Sequence, residues 1–233
     1  MEELTINSFE EYHSIVLAHN ETKFLFRGHA DVDWQLLPKV GRPDYAASFS
    51  KTLTEQTILG AWKRYSQHHL TIQPIDDWDW LTVAQHHGLA TRLLDWTRNP
   101  LVALYFAIEN PFEGKDASVY IMNFGNVTYP TEGKDPFTID KSGIFFPKGI
   151  SARVITQRGV LSLSHKPNEP LNEILADAAF KKLIIKYEAI ATLRKVLELY
   201  SVNEYSIYQD LDSLSKLLNR FTLERKAETL KNG

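Results

Sequence analysis

The stretch Ala84–Ile108 reads AQHHGLATRLLDWTRNPLVALYFAI, and it holds a helix end, a turn, a strand and a helix start. Trp78–His86 predicts a helix. His87–Thr91 predicts a turn, with Gly88 as the residue that bends most freely. Arg92–Trp96 predicts a strand. At Asn99-Pro100 a second helix is expected, because Asn caps free N–H groups and Pro is pre-set for the first helical position. The LVALYFAI that follows is apolar all round, so this helix is buried.

Toward the N-terminus, Ser8 with Glu11 reads as a capping box, and Phe9, Tyr12, Ile15 and Val16 recur at helical spacing. Lys23–Arg27 (KFLFR) is a short strand closed by Gly28. Trp34–Leu37 is an apolar patch stopped by Pro38. Residues 51–67 predict a helix through Leu53, Ile58, Ala61, Trp62 and Tyr65, and residues 71–77 a loop around Pro74. Toward the C-terminus, Ala117–Phe124 predicts a strand and residues 125–150 an irregular region. Arg153–Ser164 predicts a strand or hairpin, and Leu183–Ile185 a short strand. Leu193, Val196, Leu197 and Tyr200 make one helix face; Leu214, Leu217, Leu218 and Phe221 make another. There is no repeat, no linker and no regular βαβ alternation. The expectation is one α+β domain over residues 1–233, with small mixed or antiparallel sheets flanked by helices.

Composition narrows the function. The chain has 233 residues, of which 43% are hydrophobic and 24% charged, enough apolar mass to exclude disorder. With 26 basic and 29 acidic residues the net charge is −3, which disfavours a general electrostatic grip on nucleic acid while allowing a local basic patch. The absence of cysteine excludes disulfides, iron–sulfur clusters, Cys-zinc sites and thiol nucleophiles. No apolar run has the length of a signal peptide core or a membrane span, so a cytoplasmic protein with no membrane partner is expected. The doublets His68-His69 and His86-His87 point their rings apart and no HExxH occurs, so no metal is expected. GxSxG, GxGxxG and P-loop patterns are also missing. Trp34, Trp78, Trp80 and Trp96 suit a core, and secondarily base stacking.

Three polar clusters remain as candidate chemistry. Gln85–Thr97 gathers His86, His87, Arg92, Asp95 and Thr97 around a glycine turn, with a helix N-terminus aimed back at Asp95-Trp96-Thr97. Arg92 and Asp95 form the expected polar heart, or a structural pair, with Thr97 as a helix cap in the second case. The Phe26-Arg27-Gly28-His29 cluster ends an apolar strand in a cation suited to an anion, with Gly28 permitting close approach. The third, Arg153–Gly159, puts Arg153, Ile155 and Gln157 on one face if extended, or forms a polar turn.

Taken in order, these residues resemble the FRG domain family, whose name is the tripeptide Phe26-Arg27-Gly28. The resemblance continues through Trp34, Leu37-Pro38, Arg42, Ala84–Leu89, Thr91–Thr97, Asn99-Pro100 and Ala103–Ala107, and resumes at Arg153 and Gln157-Arg158-Gly159. It spans residues 5–220. Ala90 stands where the family has Pro, Val-Leu follows Gly159, and Tyr208–Asp212 replaces a Pro-Asp-Leu-Asp sequence. The same order of elements is similar to the ADP-ribosyltransferase fold. That likeness implies a bacterial or phage toxin or defence effector that transfers ADP-ribose from NAD or hydrolyses NAD. Arg27, His86, His87, Arg92 and Asp95 would be catalytic; Arg27, Gly28, His29, Thr97 and Gln157 would hold the NAD. No Glu stands beside Gln157, so Asp95 or a more distant acid such as Glu188 would supply the carboxylate. A nucleic acid or protein acceptor is implied for a transferase. A non-catalytic nucleotide or nucleic-acid binding module and a protein-interaction domain stay open beside it.

Overall fold

The computed structural model describes residues 1–125, 127, 134–147 and 159–232, with 224–232 as backbone only. Seven strands form one mixed sheet: β1 (Glu2–Ile6), β2 (Phe24–His29), β3 (Leu93–Thr97), β4 (Ala117–Asn123), β5 (Gly143–Phe145), β6 (Gly159–Leu163) and β7 (Ala179–Ile185). Their order is β1-β7-β4-β2-β3-β6-β5. Only the β1–β7 pair is parallel among the described residues. The α+β expectation holds, as a single sheet.

The predicted helices form where their caps place them. Helix α1 (Phe9–Leu17) starts with Ser8 Oγ accepting from the Glu11 N–H, while the Glu11 carboxylate accepts from the Asn7 N–H one residue before the expected position. Helix α2 (Pro43–Ala46) is a single turn. Helix α3 (Glu55–Ser66) opens on a reciprocal Thr54–Thr57 capping box. Helix α4 (Asp77–His86) is capped by Asp76. Helix α5 (Pro100–Ile108) is capped by Asn99 and is buried along most of its length. Helices α6 (Leu171–Ile174), α7 (Tyr187–Leu199), α8 (Glu204–Tyr208) and α9 (Leu211–Asn232) complete the described set.

The strands β1, β5 and β7 depart from the sequence reading, and the short helices α2, α6 and α8 have no counterpart in it. β1 begins Glu2-Glu3, too polar to stand out, and is an edge strand held by Ile6 against Ile185. β5 lies inside the region read as irregular. β7 starts four residues earlier than its apolar tip because Lys181 and Lys182 interrupt the pattern; Lys182 folds over the Tyr120 ring and donates to the Val32 carbonyl at 2.7 Å. On α9, Leu217 is buried whereas Leu218 and Phe221 remain exposed, so the predicted face is only partly covered.

The sheet has a waist. β2 and β4 pair over six residues, and β3 and β6 over five, but β2 meets β3 at the single pair Phe26↔Thr97. Helix α5 lies directly on β2 at Gly28, where an added Cβ would sit 2.1 Å from the Ala103 carbonyl oxygen. The close approach that Gly28 permits is therefore to the helix backbone. Phe26, Val119 and Ile121 pack with α5, α1 and α7 on this face, and Leu25, Trp96, Tyr120 and Met122 form the core of the opposite face. Leu59, Leu81, Leu93 and Leu163 make a third core under α3 and α4.

Candidate functional site

Where the β2–β3 ladder stops, a cleft of about 230 Å³ opens. Its floor is Phe26, Gly28, Asp95, Thr97, Gly159 and Leu161; its walls are Gln85 and His86 at the end of α4, and Ala103 and Phe106 of α5. By strand alternation and the Phe26↔Thr97 register these floor residues share one face. Arg27, at the adjacent position of β2, also lines the cleft.

Arg27 is held at two points. Its Nε donates to His29 Nε2 at 3.0 Å, and its Nη1 donates to the Asp95 carbonyl oxygen at 2.6 Å. The guanidinium thus meets a carbonyl that a continued ladder would have engaged. Two of its five N–H groups are used; the others have no protein partner among the described residues. Burial pulls its pKa down to about 10, against the Asp95 charge that raises it, so it is cationic at neutral pH. The Asp95 carboxylate stands 3.9 Å from Nη1, beyond hydrogen-bond length, and its side chain is 55% exposed against 15% for Arg27. Gln85 Nε2 donates to Asp95 Oδ2 at 2.8 Å.

His29 stands behind Arg27 and does not line the cleft. Its Nδ1–H donates to the Trp34 carbonyl at 3.2 Å while Nε2 accepts from Arg27, which fixes the neutral tautomer. Burial, then the Arg27 charge, push its pKa down to about 3. Its part is to aim Arg27.

The remaining predicted residues that are described each have a definite place. His86 lines the cleft, half-buried. His87 caps α4, exposed, with its ring 6.2 Å from Trp62, and does not reach the cleft. Thr97 is buried in the cleft floor, and its Oγ1 accepts from the Asn99 N–H, tying β3 to the start of α5. The expected Arg92–Asp95 pairing is corrected: three residues apart on extended chain they point to opposite faces. Arg92 instead engages Glu55, whose carboxylate accepts from both its backbone N–H and its Nε at 2.8 Å. The Phe137 ring covers its guanidinium at 4.8 Å. Glu188 opens α7 and lines a different depression, so Asp95 is the carboxylate that the structure brings to Arg27. Arg153, Gln157 and Arg158 lie outside the described residues, as does the hairpin read around them. Among the described residues no cluster of His, Cys, Asp or Glu could hold a metal ion, and no helix is long and apolar enough to cross a membrane.

The structure adds residues that the sequence reading assigned no role. Gln85 and Thr91 lie within the quoted stretch, but only the folded turn brings Gln85 to Asp95 and Thr91 to Gln85. Ala103 and Phe106 were hidden inside an evenly apolar helix. Arg42 is exposed, and its positive charge adds a lesser part to the lowered pKa of both Arg27 and His29.

The fold and site define a class: a mixed-sheet α+β protein whose sheet parts to expose an oriented arginine and a carboxylate. Residues 22–116, which carry Arg27, Gln85, Asp95 and all of α5, match the FRG domain, so the chain carries an FRG domain over that stretch. No curated protein and no solved structure matches the chain.

Proposed function

We propose that the cleft binds NAD or a closely related dinucleotide and breaks the bond between nicotinamide and ribose. The observation that carries this reading is that Arg27, mostly buried, and the exposed Asp95 carboxylate line one open cleft and stand 3.9 Å apart. A purely structural pair would close on itself. A groove made only for phosphate gains nothing from an acid. The unused N–H groups of Arg27 suit a diphosphate, since guanidinium pairs phosphate oxygens in a fork. Phe106 offers a flat apolar wall. As the C1′–N bond breaks, nicotinamide leaves with the bonding electron pair as a neutral molecule, and positive charge develops on the ribose. Asp95 would stabilise that charge. Water or an acceptor nucleophile then bonds to C1′ and gives its proton to Asp95 or His86. Consumption of NAD would suit a toxin or defence effector acting inside a cell.

A second reading, a non-catalytic nucleotide or nucleic-acid module, is favoured by Arg42, an exposed guanidinium whose positive charge acts on Arg27 and which has no carboxylate partner among the described residues. Purified protein incubated with NAD separates the two. Release of nicotinamide that Arg27→Ala and Asp95→Asn both abolish is the expected result. Binding of NAD without release, strengthened in Asp95→Asn, would establish the module instead. Full activity in both variants would remove the site assignment.

A further inference from the structure

Three features compete for an assignment. The charged depression between α5, α7 and α9 is satisfied internally, with Arg220 on Glu198 and Glu204 and Arg194 on the last carbonyls of α5. The apolar groove along α1 carries nothing that names an occupant. The third is a relay of hydrogen bonds ending on Asp95, and it carries further.

We infer that Gln85 and Thr91 are positioning residues that hold the Asp95 carboxylate in its working orientation; this rests on the reading of Asp95 given above. The Leu93 N–H donates to Thr91 Oγ1 at 3.2 Å. Thr91 Oγ1 donates to Gln85 Oε1 at 2.6 Å, and Gln85 Nε2 donates to Asp95 Oδ2 at 2.8 Å. The chain has one direction. With the Thr91 oxygen already accepting from Leu93, its proton is free to fix the Gln85 carbonyl. A flipped Gln85 would set its oxygen against a carboxylate. The amide N–H is thereby aimed at Oδ2, leaving Oδ1 for the reacting carbon. Thr91 is fully buried and does not line the cleft, so it reaches a ligand only through Gln85.

The local fold is built to make this contact. Helix α4 ends with the Gly88 N–H on the Gln85 carbonyl and the Leu89 N–H on the Ala84 carbonyl, with Gly88 at φ +85°. This double closure reverses the chain within one turn and lays Thr91 beside the Gln85 side chain.

The test compares Thr91→Val, which keeps shape and loses the hydroxyl, with Thr91→Ser, which keeps it. Two readouts are needed. One is hydrogen exchange of the Gln85 side-chain amide by ¹⁵N NMR, which requires no activity. The other is kcat and KM for nicotinamide release. Thr91→Val should speed the Gln85 exchange about tenfold, because an amide no longer held at its Oε1 leaves Asp95 more often. It should lower kcat by roughly tenfold or more with KM nearly unchanged, because misplacing a catalytic group costs rate; Thr91→Ser should match the wild type. Unchanged Gln85 exchange in Thr91→Val overturns the relay. Faster exchange with unchanged kcat overturns its role in positioning. If the wild type releases no nicotinamide, the catalytic reading of Asp95 falls, and with it the positioning role; the exchange readout then says only whether the relay exists as a structural bond.

Discussion

Arg27 and Arg92 stand at neighbouring strands, each mostly buried, and the protein treats them oppositely. Arg92 is 12% exposed and its partner Glu55 9%; together with the Phe137 ring they form a closed unit. Arg27 receives a neutral imidazole and a carbonyl, and its nearest carboxylate stays 3.9 Å off in an open cleft. The difference separates a cation with its counter-charge built in from one aimed by neutral groups and left short of a close carboxylate, which is what the proposed binding role of Arg27 requires.

The contrast predicts its own tests. The largest expected effect is at Glu55. Glu55→Ala strands the buried Arg92 guanidinium and should cost about 3–5 kcal/mol, near the penalty for breaking a buried pair. Thermal unfolding should fall by roughly 10 °C. An unchanged transition would dissolve the distinction between the two arginines.

Next comes pH. Unfolded His29 takes up a proton near its ordinary pKa of 6.5, while the folded residue resists it until about pH 3. The stability this contributes is complete above pH 6.5 and is lost as pH falls toward 3, by at most about 1.4 kcal/mol per unit. Urea unfolding across that range should show the decline, and His29→Gln should flatten it.

Arg27→Ala should cost less than Glu55→Ala, about 1–3 kcal/mol, because water can reach the Asp95 carbonyl in the open cleft while the buried His29 Nε2 loses its donor. A loss as large as that of Glu55→Ala would make Arg27 a structural residue as well. At the small end, Lys115→Ala removes the half-exposed partner of the buried Asp31 carboxylate, which keeps the Asp33 N–H, and should cost about 1 kcal/mol, read by denaturant titration.

The stretch around Gly88 was legible because each device is local. Asn99 and Pro100 announce a helix, Gly88 a reversal, and the apolar run a buried helix. Alternation alone separates Arg92 from Asp95 on extended chain, a signal available in the sequence. That Arg92 finds Glu55, 37 residues away, is a tertiary fact without local trace. The waist between β2 and β3 is equally silent, since nothing in FLFRGH says that pairing with LLDWT stops after one residue pair. The cleft exists because of that stop, so its residues could be nominated singly but not assembled.

The most direct test of the central claim is calorimetric titration with ADP-ribose, which carries the diphosphate and no cleavable nicotinamide bond. Wild type, Arg27→Ala and Arg92→Lys are compared at a temperature where all three are folded. Arg92→Lys should bind like wild type, and Arg27→Ala should bind about 10- to 100-fold more weakly, the worth of charge-assisted hydrogen bonds. Equal affinity in Arg27→Ala and wild type would contradict the assignment of the cleft.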